Sequence, residues 1–194
     1  MNIAIIRYNA GNTQSVIFAL QRLGIEPLLT DNPEQILAAD KVIFPGVGEA
    51  STTMNYLRAR KLDKLIVSLR QPVLATCIGM QLLCRHSEEN NTDCMGVFEV
   101  DIKKFKSEDL KIPQIGWNNL RAVKTPLMKD LPEEKYVYFV HSYYAPVCAY
   151  TIATADYEQP FSAALQKDNF YALQFHAEIS SKTGSKILQN FLEM

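Results

Sequence analysis

Residues 72–83, PVLATCIGMQLL, join a short apolar run to a helical pattern at a single cysteine. The run at residues 73–75 is typical of a buried strand, and the apolar residues after Gly79 follow the spacing of a helix. A strand that turns directly into a helix through a small-x-Cys-x-Gly sequence is a nucleophile elbow, whose tight turn exposes the central side chain. The stretch therefore predicts a strand, an elbow at Cys77 and a helix that carries Met80, Leu83 and Cys84, as one unit of an α/β protein.

The first half of the chain repeats this alternation of strand and helix. Apolar runs at residues 3–6 and 41–44 predict buried strands. Each run is followed by a helical pattern, which after the second strand covers residues 51–69. Strands that alternate with helices form a parallel sheet with helices on both faces. We therefore expect this arrangement in the first half.

The second half is richer in strands. Residues 136–140 and 150–154 are β-branched and aromatic runs, and residues 167–169 predict a hairpin turn between two further strands. An apolar stripe at residues 187–192 predicts a closing helix. The expected fold class is α/β, a central and mostly parallel sheet with helices on both faces and antiparallel additions in the second half. No linker-like stretch interrupts the sequence, so we expect a single domain over residues 1–194.

Composition and charge exclude several classes of function. Of the 194 residues 47% are hydrophobic, and 20 Lys and Arg against 21 Asp and Glu give a formal charge of −1. A chain so balanced has no bulk electrostatic attraction to nucleic acid or to an anionic membrane. We find no targeting segment and no apolar run of the roughly 20 residues that a membrane helix needs, so we expect a cytoplasmic protein. The four cysteines lack metal-ligand spacing and are expected to be reduced, with no metal or cofactor bound.

A histidine and a carboxylate stand together at residues 176–178, His-Ala-Glu, where a predicted strand ends. Nucleophilic thiol chemistry needs a base near the sulfur and a third group that orients the base. His176 and Glu178 are the residue types for these two roles beside Cys77. Each motif taken alone also fits a simpler structure, namely a buried cysteine after a core strand and a strand-end histidine next to a solvated glutamate.

A glycine-rich loop, PGVG at residues 45–48, follows the strand at residues 41–44. Glycines at a strand end allow unusual backbone angles and can turn an N–H group toward a reacting centre. Together with the N–H of Ile78, the loop at Val47 and Gly48 is a candidate oxyanion hole. The alternative is an ordinary Pro-Gly turn, and the glycine spacing does not match a phosphate-binding loop.

Six segments carry a resemblance to a known family, namely residues 8–12 (YNAGN), 45–48 (PGVG), 77–81 (CIGMQ), 115–118 (IGWN), 139–143 (FVHSY) and 174–178 (QFHAE). Together they resemble the class I, or triad, glutamine amidotransferases. Within that family they are similar to the glutaminase subunits of imidazole glycerol phosphate synthase. The resemblance covers residues 1–194 and implies a flavodoxin-like α/β sandwich.

The resemblance also implies a reaction. Cys77 attacks the side-chain amide of glutamine, His176 acts first as base and then as acid, and Glu178 orients His176. A thioester forms as ammonia leaves, and water then releases glutamate. By the same resemblance, the substrate is held by residues near the nucleophile: Gly46, Gly48, Gly79, Gln81, Glu89, Ser142 and Tyr143.

Several of these polar positions have simpler alternatives. Gln81 also reads as a polar residue on the helix after the elbow, and Glu89 as part of a solvated loop. His86 and His141 are expected to be structural or surface residues, because one triad needs one histidine.

A partner follows from the chemistry of ammonia, which is protonated in neutral water and lost as a nucleophile. The resemblance implies that a (β/α)8-barrel cyclase receives it in a heterodimer and makes imidazole glycerol phosphate and an aminoimidazole carboxamide ribonucleotide in histidine biosynthesis. Asn12 and Trp117 are expected at the interface, and a core aromatic is the alternative for Trp117. The resemblance further implies a glutaminase that is weak until the cyclase binds its ligand. We hypothesise that a flip of the Val47 peptide provides this gate.

The sequence departs from the family pattern at a few positions. Ala75 stands where the family usually has glycine, and Ala177 stands where it has proline, which predicts a less rigid segment before Glu178. Ile179 replaces a basic residue that contacts the partner, and Arg7 occupies a usually acidic position. None of these four positions is a reacting group.

Three alternative functions remain open at this point. The weakest is a cysteine peptidase or esterase, and the other two keep the amidotransferase fold. The glutaminase subunit of pyridoxal phosphate synthase shares the size, fold and triad, and residues 49–53 are faintly similar to one of its loops. The segments around Trp117 and His141 argue against it. A catalytically silent docking module with the same fold is the other alternative, which the intact triad disfavours.

Overall fold

The computed structural model describes residues 1–9 and 13–194. The first half alternates strands and helices: β1 (Ile3–Ile6), α1 (Thr13–Arg22), β2 (Leu28–Thr30), α2 (Pro33–Leu37), β3 (Lys41–Phe44), α3 (Ala50–Ala59), α4 (Leu62–Ser68), β4 (Val73–Thr76) and α5 (Ile78–Leu83). The second half is mostly strands: β5 (Cys84–Ser87), β6 (Thr92–Asp93), β7 (Phe98–Lys104), β8 (Gln114–Asn119), β9 (Tyr136–His141), β10 (Tyr143–Pro146), β11 (Thr151–Tyr157), β12 (Gln159–Lys167), β13 (Phe170–Leu173) and the closing helix α6 (Ser181–Glu193).

The central sheet is parallel in its first five positions, which have the order β2-β1-β3-β4-β13. It continues through β12, β10, β7, β5 and β6, and β11 pairs with β12. The β13–β12, β12–β10, β12–β11 and β10–β7 pairings are antiparallel. The expected fold class, a mostly parallel central sheet with antiparallel additions, is confirmed.

Two apolar cores cover the two faces of this sheet because alternate strand residues point in opposite directions. In β1, Ile3 and Ile5 join the core that contains residues of α1 and α6, while Ala4 and Ile6 join the core that contains residues of α2 to α5. β1, β3 and β4 are buried along their whole length. This burial explains their continuous apolar runs, which are typical of strands covered on both faces.

The second half contains the predicted hairpin and one separate sheet. β12 and β13 pair from Lys167↔Phe170 onward, and Asp168 in the connecting turn has a φ of 51°. β8 and β9 form a two-stranded antiparallel sheet in which Trp117 pairs with Tyr138. The hairpin prediction for residues 167–169 is confirmed.

Two sequence predictions about helices were wrong. The pattern over residues 51–69 is not one helix, since α3 ends at Ala59 and Lys61 takes a left-handed φ of 58° before Leu62 restarts the chain as α4. The helix after the elbow was expected to carry Cys84, but Cys84 is extended and pairs with Phe98 as the first residue of β5. In both cases tertiary packing overrides a continuous helical pattern.

No helix within the described residues is long and apolar enough to cross a membrane.

Candidate active site

Cys77 lies in a strained turn between β4 and α5. Its backbone has φ 51° and ψ −113°, a region that residues with a side chain rarely adopt. Strain of this kind persists only where the surrounding structure holds it, and it concentrates at functional sites. The thiol is 8% exposed and lies at the amino end of a helix, where the first N–H groups have no acceptor within the helix. The geometry is that of the predicted elbow.

Close packing against the end of β3 holds this turn in place. A Cβ atom on Gly46 would lie 2.3 Å from Ile78 Cγ2 and 2.5 Å from the Gly79 nitrogen. A Cβ atom on Gly79 would lie 2.5 Å from the carbonyl oxygen of Phe44. Both positions therefore require glycine for the contact between the loop after β3 and the elbow. Neither residue is among those that line the cleft described below.

Two neighbouring parallel strands bring the nucleophile and the histidine to the same edge of the sheet. Thr76 pairs with Leu173, and the N–H of Cys77 donates to the Leu173 carbonyl at 2.7 Å. Parallel strands end at the same edge, so the residues after β4 and after β13 meet there. His176 follows the end of β13 by three positions and thereby reaches the thiol, although 99 positions separate it from Cys77 in the sequence.

Glu178 is turned back onto His176 by a short 3₁₀ turn at Ala177–Ile179. The Nδ1–H of His176 donates to Glu178 Oε1 at 2.8 Å, and both side chains are buried. The hydroxyl of Ser180 donates to the His176 carbonyl at 2.5 Å, and the His176 N–H donates to the Tyr138 carbonyl at 3.0 Å. These bonds hold the segment although Ala177 stands at the position of the expected proline.

The charges around His176 favour its protonated form. Burial acts against a charged imidazole, but hydrogen bonding and charge from Cys77 and Glu178 outweigh burial and raise the pKa of His176 to about 10. An imidazolium beside a thiol favours the thiolate, which is the nucleophilic form of cysteine. The arrangement therefore favours a protonated His176 beside the Cys77 thiol, with Nδ1 of its imidazole fixed by Glu178.

A cleft of about 230 Å³ opens beside the thiol. Its lining combines most of the residues expected from the sequence with three others: Gly48, Cys77, Ile78, Gln81, Glu89, Pro113, Val140, His141, Ser142 and Tyr143. The residues come from the loop after β3, the elbow with α5, the region after β5, the segment before β8, and the junction of β9 with β10. Six of the predicted oxyanion and substrate positions thus surround the nucleophile.

The glycine-rich loop lies at the rim of this cleft. Gly48 has a φ of 126°, and a Cβ atom there would meet only Thr53 Oγ1 at 3.7 Å, so glycine is required by the backbone angle rather than by space. Val47 is half-buried and does not line the cleft. The hydroxyl of Tyr8 donates to the Pro45 carbonyl from behind the loop, and the buried Tyr8 ring packs on Phe44.

The polar residues of the cleft are held by specific contacts. Gln81 is 3% exposed, and its amide nitrogen donates to the Tyr143 carbonyl at 3.1 Å and to Gln174 Oε1 at 3.0 Å. Glu89 is half-buried and accepts the Ala50 N–H at 2.8 Å. Burial raises the pKa of the Glu89 carboxyl above its ordinary value. The solvated-loop alternative for Glu89 was therefore wrong.

Comparison with known proteins gives a consistent result. The family model described as "Glutamine amidotransferase class-I" matches residues 4–194. The chain is 56% identical over 197 residues to the imidazole glycerol phosphate synthase subunit HisH of Bacteroides thetaiotaomicron, with all of both chains covered. It is 43% identical to the HisH subunit of Vibrio parahaemolyticus, with 99% of this chain and 98% of that one covered. The chain belongs to the HisH group of class I glutamine amidotransferases. The resemblance inferred from the sequence motifs is confirmed.

Solved structures agree with the fold of this amidotransferase. A crystal structure of a glutamine amidotransferase superposes with a TM-score of 0.75 at 17% identity, with 98% of this chain and 97% of that one covered. A glutamine amidotransferase from Thermotoga maritima gives a TM-score of 0.64 at 17% identity, with 100% of this chain and 83% of that one covered.

The remaining predicted positions of the amidotransferase are the two interface candidates and the two histidines outside the triad. Trp117 is 52% exposed and touches Tyr138 edge-on, so the core-aromatic alternative was wrong. Asn12 lies outside the described residues. His86 lies 3.1 Å from Asp93 near the surface, and His141 is buried at the end of β9, where it lines the cleft.

Sequence reasoning missed three residues of the site. Pro113 and Val140 line the cleft, and Gln174 lies behind the thiol, with its amide nitrogen 3.9 Å from Cys77 Sγ. Only Gln174 carried a usable signal, because a glutamine at the end of an apolar strand needs buried partners.

Proposed function

We propose that this chain hydrolyses the side-chain amide of glutamine through a thioester on Cys77. We further propose that the ammonia passes to a (β/α)8-barrel cyclase bound in a heterodimer, which uses it for histidine biosynthesis as anticipated from the sequence. The observation that carries the proposal is the thiol at the elbow, which faces a cleft on one side and contacts the buried His176–Glu178 pair on the other.

The first half of the reaction forms the thioester. The Cys77 thiolate attacks the amide carbon, and the N–H of Ile78 and the loop at Val47 and Gly48 stabilise the oxyanion that develops. The protonated His176 then gives its proton to the leaving nitrogen, so the C–N bond breaks and ammonia departs. Glu178 stabilises the imidazolium and holds the ring in one tautomer. The geometry around His176 supports this order, because its charged form is already favoured.

The second half releases glutamate. His176, now neutral, removes a proton from a water molecule, which attacks the thioester carbon. The C–S bond then breaks, and the thiolate and the imidazolium are restored. No cofactor or metal takes part in either half of the proposed reaction, and the sum is glutamine plus water giving glutamate plus ammonia.

The cleft supports recognition of the amino-acid end of the substrate. The Glu89 carboxylate suits the α-ammonium group, because charge-assisted hydrogen bonds are the stronger ones. Both hydrogens of the Gln81 amide are engaged within the protein, so Gln81 offers a ligand only its oxygen. Ser142 and Tyr143 also line the cleft and are the other candidates for contact with the substrate. For Gly46 and Gly79 we propose a packing role in place of the expected substrate contact.

The partner proposal rests on chemistry and on the names of the relatives. The matched relatives are described as subunits of imidazole glycerol phosphate synthase. This description argues against the pyridoxal phosphate synthase alternative. The sheet of β8 and β9 offers an apolar face near the cleft, where exposed aromatic and aliphatic side chains suit a docking anchor. These exposed residues are Ile115, Trp117, Tyr136 and Val140, with Ile179 on the neighbouring turn. We also propose that residues 1–194 form one domain and that the protein acts in the cytoplasm.

The deciding experiment measures glutamate release with and without the cyclase and its ribonucleotide ligand. We expect activity in the wild type that rises when the liganded cyclase is added, and none in Cys77→Ala. Trp117→Ala should weaken cyclase binding by about 2 kcal/mol, as expected for an interface hot spot, while the isolated chain stays folded. Glutamate release that survives Cys77→Ala would refute the proposed chemistry, and activity that ignores the cyclase would refute the partnership.

A further inference from the structure

Gln174 is a fully buried amide that lies directly behind the nucleophile. It is 0% exposed and stands between the end of β13 and His176. Its amide nitrogen lies 3.9 Å from Cys77 Sγ, within the range of hydrogen bonds to sulfur. The main chain of Gln174 is fixed as well, since its N–H donates to the Ala163 carbonyl at 2.8 Å.

The orientation of this amide is set by a neighbour on the cleft wall. Gln174 Oε1 accepts from the amide nitrogen of Gln81 at 3.0 Å, and the same nitrogen of Gln81 donates to the Tyr143 carbonyl at 3.1 Å. A side-chain amide has one oxygen acceptor and one NH₂ donor. Because the oxygen is taken by Gln81, the NH₂ group is the end that faces the sulfur of Cys77.

We propose that Gln174 is a further catalytic residue, whose amide N–H donates to the Cys77 sulfur and holds it as a thiolate aimed into the cleft. This inference rests on the proposed function. It deepens that function by adding a neutral donor to the sulfur beside the triad. Hydrogen bonds to the charged form of a group favour that form.

The donor contributes to both halves of the reaction. Before the attack it increases the fraction of Cys77 present as thiolate at neutral pH. During release of glutamate the sulfur is the leaving group, and a more stable thiolate leaves faster. The hydrogen bond from Gln81 to Gln174 Oε1 connects this donor to a residue of the cleft that is proposed to contact the substrate.

The test measures Cys77 itself and needs no glutamine. The rate of alkylation by iodoacetamide is followed from pH 5 to pH 10, with Cys77 modification assigned by peptide mass. Burial raises the pKa of Cys94 to about 12 and that of Cys84 well above its ordinary range, so neither thiol competes. Cys148, which is partly exposed, is replaced in a Cys148→Ser background.

The variant Gln174→Met keeps the volume but removes the donor. We expect the midpoint of the alkylation profile to rise by about one pH unit, so that the rate at neutral pH falls by about tenfold. In Gln174→Glu an ionised carboxylate still accepts from Gln81 but repels the thiolate, so the midpoint should rise further. If one variant fails to fold, the other still decides. A folded variant with an unchanged midpoint would overturn the proposal.

The matched control is Gln71→Met. Gln71 is partly buried, and its amide donates to the Ile36 carbonyl at 2.9 Å. It precedes β4 at the opposite edge of the sheet from Cys77, so its alkylation profile should match the wild type. In glutamine hydrolysis, Gln174→Met should lower kcat with little change in KM. A wild-type chain that alkylates as expected yet releases no glutamate would contradict the proposed function and not the role of Gln174 toward the sulfur.

Discussion

His141 and His176 are buried to the same extent, since each is 5% exposed, but they lie among different partners. The ring of His141 contacts neutral groups, with Nδ1 2.7 Å from the Tyr143 carbonyl and Nε2 2.9 Å from Gln114 Oε1. Burial lowers the pKa of His141 to about 4, against a smaller opposing effect of the Tyr143 carbonyl. His176 contacts a carboxylate and a thiol, which raise its pKa to about 10 in spite of burial.

The contrast shows that burial alone does not set the charge of a histidine. Desolvation disfavours the imidazolium at both sites, and only a charged partner reverses the outcome. Each residue stands at the end of a strand, His141 as the last residue of β9 and His176 three positions after β13, so this position does not separate them either. The carboxylate of Glu178 and the thiol of Cys77 suit His176 to the proposed acid–base role, while His141 joins β9 to β10 among neutral partners.

The largest effect is expected when the charged histidine is removed. His176→Ala should lower kcat/KM for glutamine hydrolysis by about 10²–10⁴-fold, because the general base and acid are both lost. Steady-state kinetics in the presence of the proposed cyclase partner measure this loss. Retention of more than a tenth of the wild-type activity would show that His176 is not the base.

Removing only the negative partner should convert His176 toward the behaviour of His141. In Glu178→Gln the hydrogen bond to Nδ1 is retained but the charge is lost, so the pKa of His176 should fall from about 10. A raised pKa stabilises the fold fully below the unfolded value of about 6.5, and this stabilisation is lost as the pH rises through the folded value. The wild type should therefore be more stable than Glu178→Gln at pH 6, and the difference should shrink toward pH 10.

Urea unfolding at pH 6, 8 and 10 checks this prediction. If the difference in unfolding free energy between the wild type and Glu178→Gln stays constant over this pH range, the charge of Glu178 does not act through His176.

The sequence predicted those parts of the molecule that depend on local spacing. The elbow at Cys77 and the alternation of strands and helices follow from patterns within a dozen residues. The adjacency of β4 and β13 does not, because no local pattern pairs strands about 100 residues apart. It was anticipated only through the family resemblance of residues 174–178.

Other features depend on contacts that no sequence pattern displays. Lys61 breaks a helix in a left-handed conformation that favours glycine or asparagine, so its residue type gave no warning. The glycines Gly46 and Gly79 were predicted beside the substrate, but the structure shows them where two backbones approach closely. Gln174 lies within the motif at residues 174–178, but its proposed donor role depends on the orientation that Gln81 imposes on its amide.

A smaller effect is expected from the opposite change, in which the neutral His141 is given a negatively charged partner. Gln114→Glu would place a carboxylate about 2.9 Å from Nε2 of His141. We expect the pKa of His141 to rise from about 4 toward or beyond its ordinary value of about 6.5. Titration of the imidazole Cε1–H signal by NMR measures the change. A value that stays near 4 would mean that desolvation outweighs an adjacent carboxylate at this site, contrary to the explanation given for His176.

The smallest effect is expected at the third histidine, which also has a carboxylate partner but lies near solvent. His86 Nδ1 is 3.1 Å from Asp93 Oδ1, and the Asp93 side chain is 86% exposed. Solvent screens such a pair, and surface ion pairs contribute little to stability. His86→Ala should change the free energy of unfolding by no more than about 0.5 kcal/mol between pH 5 and pH 8 and leave glutamine hydrolysis intact. Urea unfolding and steady-state kinetics test both points. A loss well above 1 kcal/mol would mean that a carboxylate partner stabilises a histidine without the burial that His176 and Glu178 share.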